Sequence, residues 1–278
     1  MNALPLTDAE SARRREDMLR ELNLYPLWQL RMQAAGGKEA EAADPVVPQV
    51  EPAAACAPAQ TGTPHADISG MGWKELQQKV KDCNACALRA SCIQTVFGMG
   101  DEHADWLFVG SWPTEDDENK GEVFAGQAGQ LLDNMLAAIR LKRGSNVYLA
   151  NVAKCSGSIR RGPRPEQIAQ CSVYLMRQIH LIQPKLIVAL GHSTATALLG
   201  ADREWSSLLG RVHEFRGFTK EDSLKAAIPL IITHHPAALL LSPLNKAQTW
   251  KDLCLAKDTM QQLINGADPV PSPAGGRG

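Results

Sequence analysis

Leu186-Ile187-Val188-Ala189-Leu190-Gly191-His192-Ser193 is the stretch on which the fold turns. An unbroken apolar run ends abruptly in a glycine and two polar residues. Three further runs have the same form: Trp106-Leu107-Phe108-Val109, Val147-Tyr148-Leu149-Ala150 and Leu230-Ile231-Ile232. They alternate with helical patterns at about 127–140, 165–182, 193–199 and 247–264. Continuous apolar strands between helices predict an α/β protein with a parallel sheet covered on both faces. In such a sheet the ligand site lies beyond the carboxyl ends of the strands. Those ends are Gly110-Ser111-Trp112-Pro113, Asn151-Val152-Ala153-Lys154-Cys155, Gly191-His192-Ser193 and Thr233-His234-His235-Pro236. Polar and cysteine residues collect there.

The rest of the chain frames this core. Its 278 residues, 44% hydrophobic and 21% charged, suffice for one sizeable core with extra segments, or for two small domains. A mean hydropathy of −0.21 and the lack of a long apolar run argue against a membrane span. The first ten residues have no basic region followed by an apolar stretch, so no secretory signal is read and the expected compartment is the cytoplasm. A net charge of −1 excludes nucleic-acid binding by bulk basicity and leaves room for a local basic patch.

Four segments follow from composition. Residues 1–33 are charged and helix-like, opening with capping-box spacing at Thr7 and Glu10. Residues 34–70 are rich in Ala, Pro and Glu and predict a disordered linker. Residues 71–265 form the globular domain, and 266–278 read as a disordered tail.

Seven cysteines stand at 56, 83, 86, 92, 155, 171 and 254. In a reducing compartment an odd set of this size reads as metal-binding rather than as a disulfide framework. Cys83-Asn-Ala-Cys86 is a chelating pair, and Cys155 and Cys171 follow as single residues. Four thiolates suit a zinc ion or an iron–sulfur cluster. A single short-spaced pair leans towards a cluster; the alternative is a loop pair plus two buried thiols. Cys56 reads as incidental, Cys92 as a nearby spare and Cys254 as core.

With these residues in view, the chain from Cys83 to Lys257 resembles the family 4 uracil-DNA glycosylases. The matching stretches are Cys83-Asn-Ala-Cys86-Ala-Leu, Val96-Phe97-Gly98, Phe124-Ala-Gly126-Gln-Ala128-Gly129, Asn151-Val-Ala-Lys154-Cys155, Ile187-Val-Ala-Leu-Gly191 and His235-Pro236. The resemblance implies a three-layer α/β/α fold with a central, mainly parallel sheet, and a [4Fe–4S] cluster on Cys83, Cys86, Cys155 and Cys171, structural rather than redox-catalytic. A flipped uracil needs a stacking surface, partners for its edge and a donor for charge on the departing base. By resemblance Phe124 stacks, Asn151 reads the edge and His235 steadies the leaving group. Leu239, Leu240 and Leu241 fall where the family inserts an apolar wedge into DNA, with Leu240 the expected contact. Arg160, Arg161 and Arg164 are expected to meet phosphates.

Two motifs depart from that pattern. Where the family has Gly-Glu-Ala/Gly-Pro-Gly, this chain has Gly110-Ser111-Trp112-Pro113-Thr114. Ser111 is no base at neutral pH, and Trp112 is expected to crowd the uracil pocket. Where the family has His-Pro-Ser, this chain has His235-Pro236-Ala237. Glu115, Asp116 and Asp117 follow closely as possible substitute carboxylates. A general acid or base contributes about 10²–10⁴-fold, so impaired or absent activity is expected.

Residues 14–31 resemble the N-terminal segment of the psi subunit of bacterial DNA polymerase III, which docks on the clamp loader's DnaX protein. Leu19, Leu22, Leu24, Leu27, Trp28 and Leu30 carry that likeness. A Leu/Trp-bearing helix on a long linker suits a tethered docking peptide. The combined expectation is a psi-like clamp-loader subunit on a degenerate glycosylase scaffold, with DnaX as partner and the chi subunit as a second candidate. The alternative is an active uracil-DNA glycosylase with a variant first motif. A third reading is a cluster-bearing DNA binder that recognises damage without cutting it.

Overall fold

The computed structural model describes residues 68–156, 162–200, 203–219 and 224–266. All lie within the compact unit Cys56–Gly278. The psi-like residues Leu19, Leu22, Leu24, Leu27, Trp28 and Leu30, together with Arg160 and Arg161, lie outside the described residues.

Six strands form one sheet in the order β1-β3-β2-β4-β6-β5. They are β1 (Met99–Gly100), β2 (Trp106–Gly110), β3 (Val147–Asn151), β4 (Leu186–Leu190), β5 (Val212–Phe215) and β6 (Ile228–Thr233). The four central strands pair in parallel, and the edge strands β1 and β5 pair antiparallel. All five residues of β2, β3 and β4 are buried, as a sheet covered on both faces requires.

Strand alternation sorts their side chains into two cores. Trp106, Phe108, Leu149, Val188, Leu190 and Ile231 pack on one face. Leu107, Val109, Tyr148, Ile187, Ala189 and Ile232 pack on the other. The first core is covered by α4 (Gly126–Ala138), α8 (Pro236–Leu241) and α9 (Lys246–Ile264). The second is covered by α5 (Pro165–Ile182), α6 (His192–Leu199) and α7 (Trp205–Leu208). The expected α/β/α layering is therefore present, with each sequence-read helix displaced by no more than two residues.

Three shorter helices complete the domain: α1 (Trp73–Lys81), α2 (Leu88–Ser91) and α3 (Glu115–Lys120). Among the described residues no helix is long and apolar enough to cross a membrane.

Candidate active site at the carboxyl ends of the strands

The ends of β2, β3, β4 and β6 converge. Gly110 closes β2, and a Cβ there would lie 2.7 Å from Phe124 Cζ and also meet Asn151 Oδ1. Only a bare backbone lets these two side chains approach so closely. Gly191, after β4, faces His235 in the same way, its Cβ position lying 3.1 Å from the histidine Cβ. The rings of Phe124 and His235 stand 5.7 Å apart at a tilt of 40°. The structure thus gathers Asn151, Phe124 and His235 around Gly110 and Gly191.

Asn151 carries the most telling atom. The residue is 1% exposed, yet its Oδ1 has no hydrogen-bond partner. Leaving a buried acceptor unpaired costs about 1–3 kcal/mol. A fold retains such an atom where something else is meant to meet it. Its backbone is held firmly: Lys154 Nζ donates to Asn151 O at 2.8 Å and to Gln178 Oε1 at 2.7 Å. Gln178 Nε2 donates in turn to Phe97 O at 3.0 Å. Burial lowers the Lys154 pKa to about 7, against an upward pull from Cys171.

Phe124 is held in a left-handed conformation at φ 55°. Arg143 secures this turn, donating to Val123 O at 2.8 Å and to Phe124 O at 3.3 Å, while Asp133 accepts from its Nε at 2.8 Å. Gly129 is indispensable to the same turn, because a Cβ there would collide with the Phe124 carbonyl.

His235 caps α8, and its Nδ1 accepts from the backbone N–H of Ala237 at 3.2 Å. Burial drives its pKa down to about 4, so the ring is neutral at physiological pH. With Nδ1 accepting, the ring proton sits on Nε2, which is left as a donor. The departure at Ala237 costs this contact nothing, since the backbone makes it. His234 takes a different path: it packs edge-on against Trp205 and meets Thr249 Oγ1 at 3.3 Å.

The carboxylates after Thr114 divide. Asp117 is buried and builds the cap of α3, accepting from Thr114 N at 2.8 Å and Ala125 N at 2.5 Å. Asp116 is exposed and its Oδ2 stands 3.0 Å from the Cβ position of Gly126, at the start of α4. Ser111 is half-buried, its carbonyl accepting from Ala153 N at 2.9 Å. Trp112, two residues beyond Gly110, is half-buried. Its ring lies against Gly162, where a Cβ would come within 2.8 Å, and packs with the cluster around Phe97 and Tyr174. Arg164 is exposed at the N-cap of α5. Leu239 is buried and Leu240 half-exposed, whereas Leu241 and Leu244 are 87% and 94% exposed.

The cysteines fall in two clusters, Cys171 with Cys83 and Cys155 with Cys92 and Cys86. Cys155 and Cys171 are buried, and Cys83 and Cys86 are partly exposed. Burial pushes the Cys171 thiol up to about 12, against the pull of Lys154 and with further upward pressure from Cys83 and Cys86. The Cys155 thiol is raised by its contact with Cys92, by burial and by Cys171 and Cys86. The Lys154 N–H points at Cys171 Sγ, 3.2 Å away. Among the described residues no three metal-binding side chains close on a single ion.

Glu118 is the residue the sequence reading missed here. Buried on α3, it accepts from Ile93 N at 2.9 Å and from Ser156 N at 2.6 Å, tying the Cys92 loop to the Cys155 loop. Burial raises its pKa, but hydrogen bonds from Cys92, Ser156 and Ile93 prevail and hold it below the usual value.

The family model of the uracil DNA glycosylase superfamily matches residues 97–257. The Type-4 uracil-DNA glycosylase of Archaeoglobus fulgidus is 36% identical over 173 residues, 61% of this chain and 83% of that protein. The Type-4 uracil-DNA glycosylase of Pyrobaculum aerophilum is 33% identical over 190 residues, 66% of this chain and 93% of that protein. That of Thermotoga maritima is 40% identical over 123 residues, 44% of this chain and 62% of that protein. These relatives overturn the expectation of a psi-like clamp-loader subunit, and the expectation of lost activity finds no support beside them.

Proposed function

We propose that this chain, which belongs to the uracil DNA glycosylase superfamily, cleaves the N-glycosidic bond of deoxyuridine in DNA as a repair enzyme. One observation carries the reading: the buried, unpartnered Asn151 Oδ1 beside Phe124. Uracil presents an N3–H between two carbonyls, and that N–H donates to Oδ1. Cytosine has a bare acceptor nitrogen at the same place and leaves Oδ1 unpaired. Phe124 offers its ring to the base face.

The C1′–N1 bond breaks with its electron pair passing to uracil, whose O2 becomes negative. The His235 Nε2–H donates to that oxygen, and its neutrality keeps the proton with the histidine. Water adds to C1′, and the proton it loses passes through solvent to the released uracil anion. We assign Asp116 to orient that water, because Asp117 is committed to its helix cap. The exposed Leu241 and Leu244 suit insertion into the DNA stack, and Arg164 suits a phosphate.

Cys83, Cys86, Cys155 and Cys171 would hold a [4Fe–4S] cluster. The nearness of Cys171 to Cys83 and Cys86, and of Cys155 to Cys171 and Cys86, together with a backbone N–H aimed at Cys171 Sγ, supports the fit. When bound, the cluster supplies a structural tie between the loop after α1, the end of β3 and α5.

The test is base selectivity with enzyme in excess over single-stranded DNA. Uracil is expected to be released, cytosine and thymine retained, and release to fall about 10²–10³-fold in His235→Ala. Absence of release from cluster-loaded protein overturns the reading.

A further inference from the structure

A cavity of about 570 Å³, in the size range of small-ligand sites, lies between α5 and α6 and reaches the chain just after β2 and β4. Trp112, Pro163, Ile168, His192, Thr196 and Phe218 contribute to its wall. Two strand ends lead from one site to the other. After β2, Gly110 faces Asn151 and Phe124, and Trp112, two residues on, lines the cavity. After β4, Gly191 faces His235, and His192, the next residue, lines the cavity. Consecutive Cα atoms are about 3.8 Å apart, so on both strand ends the backbone anchors of the two sites lie within about 8 Å, a separation that one nucleotide can span.

We propose that this cavity receives the base next to the uracil on the same strand, stacked on the Trp112 indole. The proposal rests on the glycosylase reading and extends it to a second nucleotide. The wall is mostly apolar, with the Trp112 and Phe218 rings in it, which suits the flat face of any base. It also holds a hydroxyl in want of a partner. Thr194 Oγ1 donates to Leu190 O, four residues back, at 2.9 Å, the usual outlet for a helical threonine. Thr196, one half-turn later on α6, makes no such bond. Its Oγ1 and Asn151 Oδ1 are the two buried side-chain polar atoms without partners among the described residues, one at each site. At the rim, Arg164 is exposed between Pro163 and Pro165, both lining residues, where it meets a phosphate of the same strand. The Trp112 that departs from the resembled motif is thus the residue that builds the second site.

The experiment places 2-aminopurine on either side of deoxyuridine in single-stranded DNA. Its fluorescence is read on binding to the full-length, cluster-loaded protein, alongside KM and kcat for uracil release. Quenching is expected at one neighbour, and not at the other, in the wild type. Trp112→Leu is expected to abolish it and raise KM about tenfold, with a smaller effect on kcat. Trp112→Phe keeps a ring and retains most of the quenching, and Thr196→Val raises KM about threefold. If the leucine variant does not fold, the phenylalanine and valine variants still decide. Uracil release without quenching at either neighbour, or with KM unchanged in folded Trp112→Leu, overturns this proposal alone. Quenching without uracil release overturns the glycosylase reading and leaves the base site standing.

Discussion

Asn151 and Glu118 are buried to the same degree, each 1% exposed, and they have opposite fates. Glu118 has both carboxylate oxygens occupied, by the backbone N–H groups of Ile93 and Ser156. Asn151 Oδ1 has nothing. The first belongs to a region where polar burial is spent on holding loops together. The second belongs to a region where it is withheld for something that arrives. Of this pair, the satisfied carboxylate belongs to the scaffold and the unsatisfied amide oxygen to the proposed site.

Replacing the two residues sharpens the contrast most. Asn151→Ala is expected to lower single-turnover uracil release by at least about 10²-fold, with an unchanged or raised melting temperature, because it removes an unpaired polar atom. Glu118→Ala is expected to do the reverse in kind. It orphans two backbone donors, costs about 2–4 kcal/mol in denaturant unfolding, and loosens the cysteine loops so that visible cluster absorption is lost faster. Equal stability losses in both variants would dissolve the distinction.

A weaker effect is expected at Arg143, which straddles the two regions by securing the strained Phe124 turn from the protein side. Arg143→Ala is expected to reduce kcat/KM about tenfold and to cost about 1–2 kcal/mol. Arg143→Lys, which keeps one donor, should restore part of both.

The smallest effect is on pH dependence. Burial lowers the His235 pKa from 6.5 to about 4. The unfolded chain therefore binds the extra proton first as pH falls. This contribution to stability is complete above pH 6.5 and is lost as pH falls through about 4. Uracil release should show no inflection near 6.5, and an inflection there that disappears in His235→Gln would show that the ring is charged in the working enzyme.

Much of the fold was open to reading because buried parallel strands are continuous in apolar residues. Leu186–Leu190 could be recognised in isolation. The edge strands were not: β1 has two residues, and Val212–Phe215 mixes His213 and Glu214 with apolar neighbours. The site was legible where one motif supplies one residue, as with Phe124, Asn151 and His235. It was hidden where the meaning lies in partners far along the chain. Lys154 meets Gln178, 24 residues away, and Glu118 meets Ile93 and Ser156, 25 and 38 residues away. Trp112 follows the same rule: sequence locates it after β2, but only the fold shows its ring against Gly162 and packed with the cluster around Phe97 and Tyr174.

The most direct test is uracil release from single-stranded DNA under single-turnover conditions, wild type against Asn151→Ala, with folding and cluster content matched. The account predicts rapid release by the wild type and a loss of at least about 10²-fold in a variant that melts no lower. Release at the same rate in both proteins would contradict it, because the vacant oxygen would then have no part in reading the base.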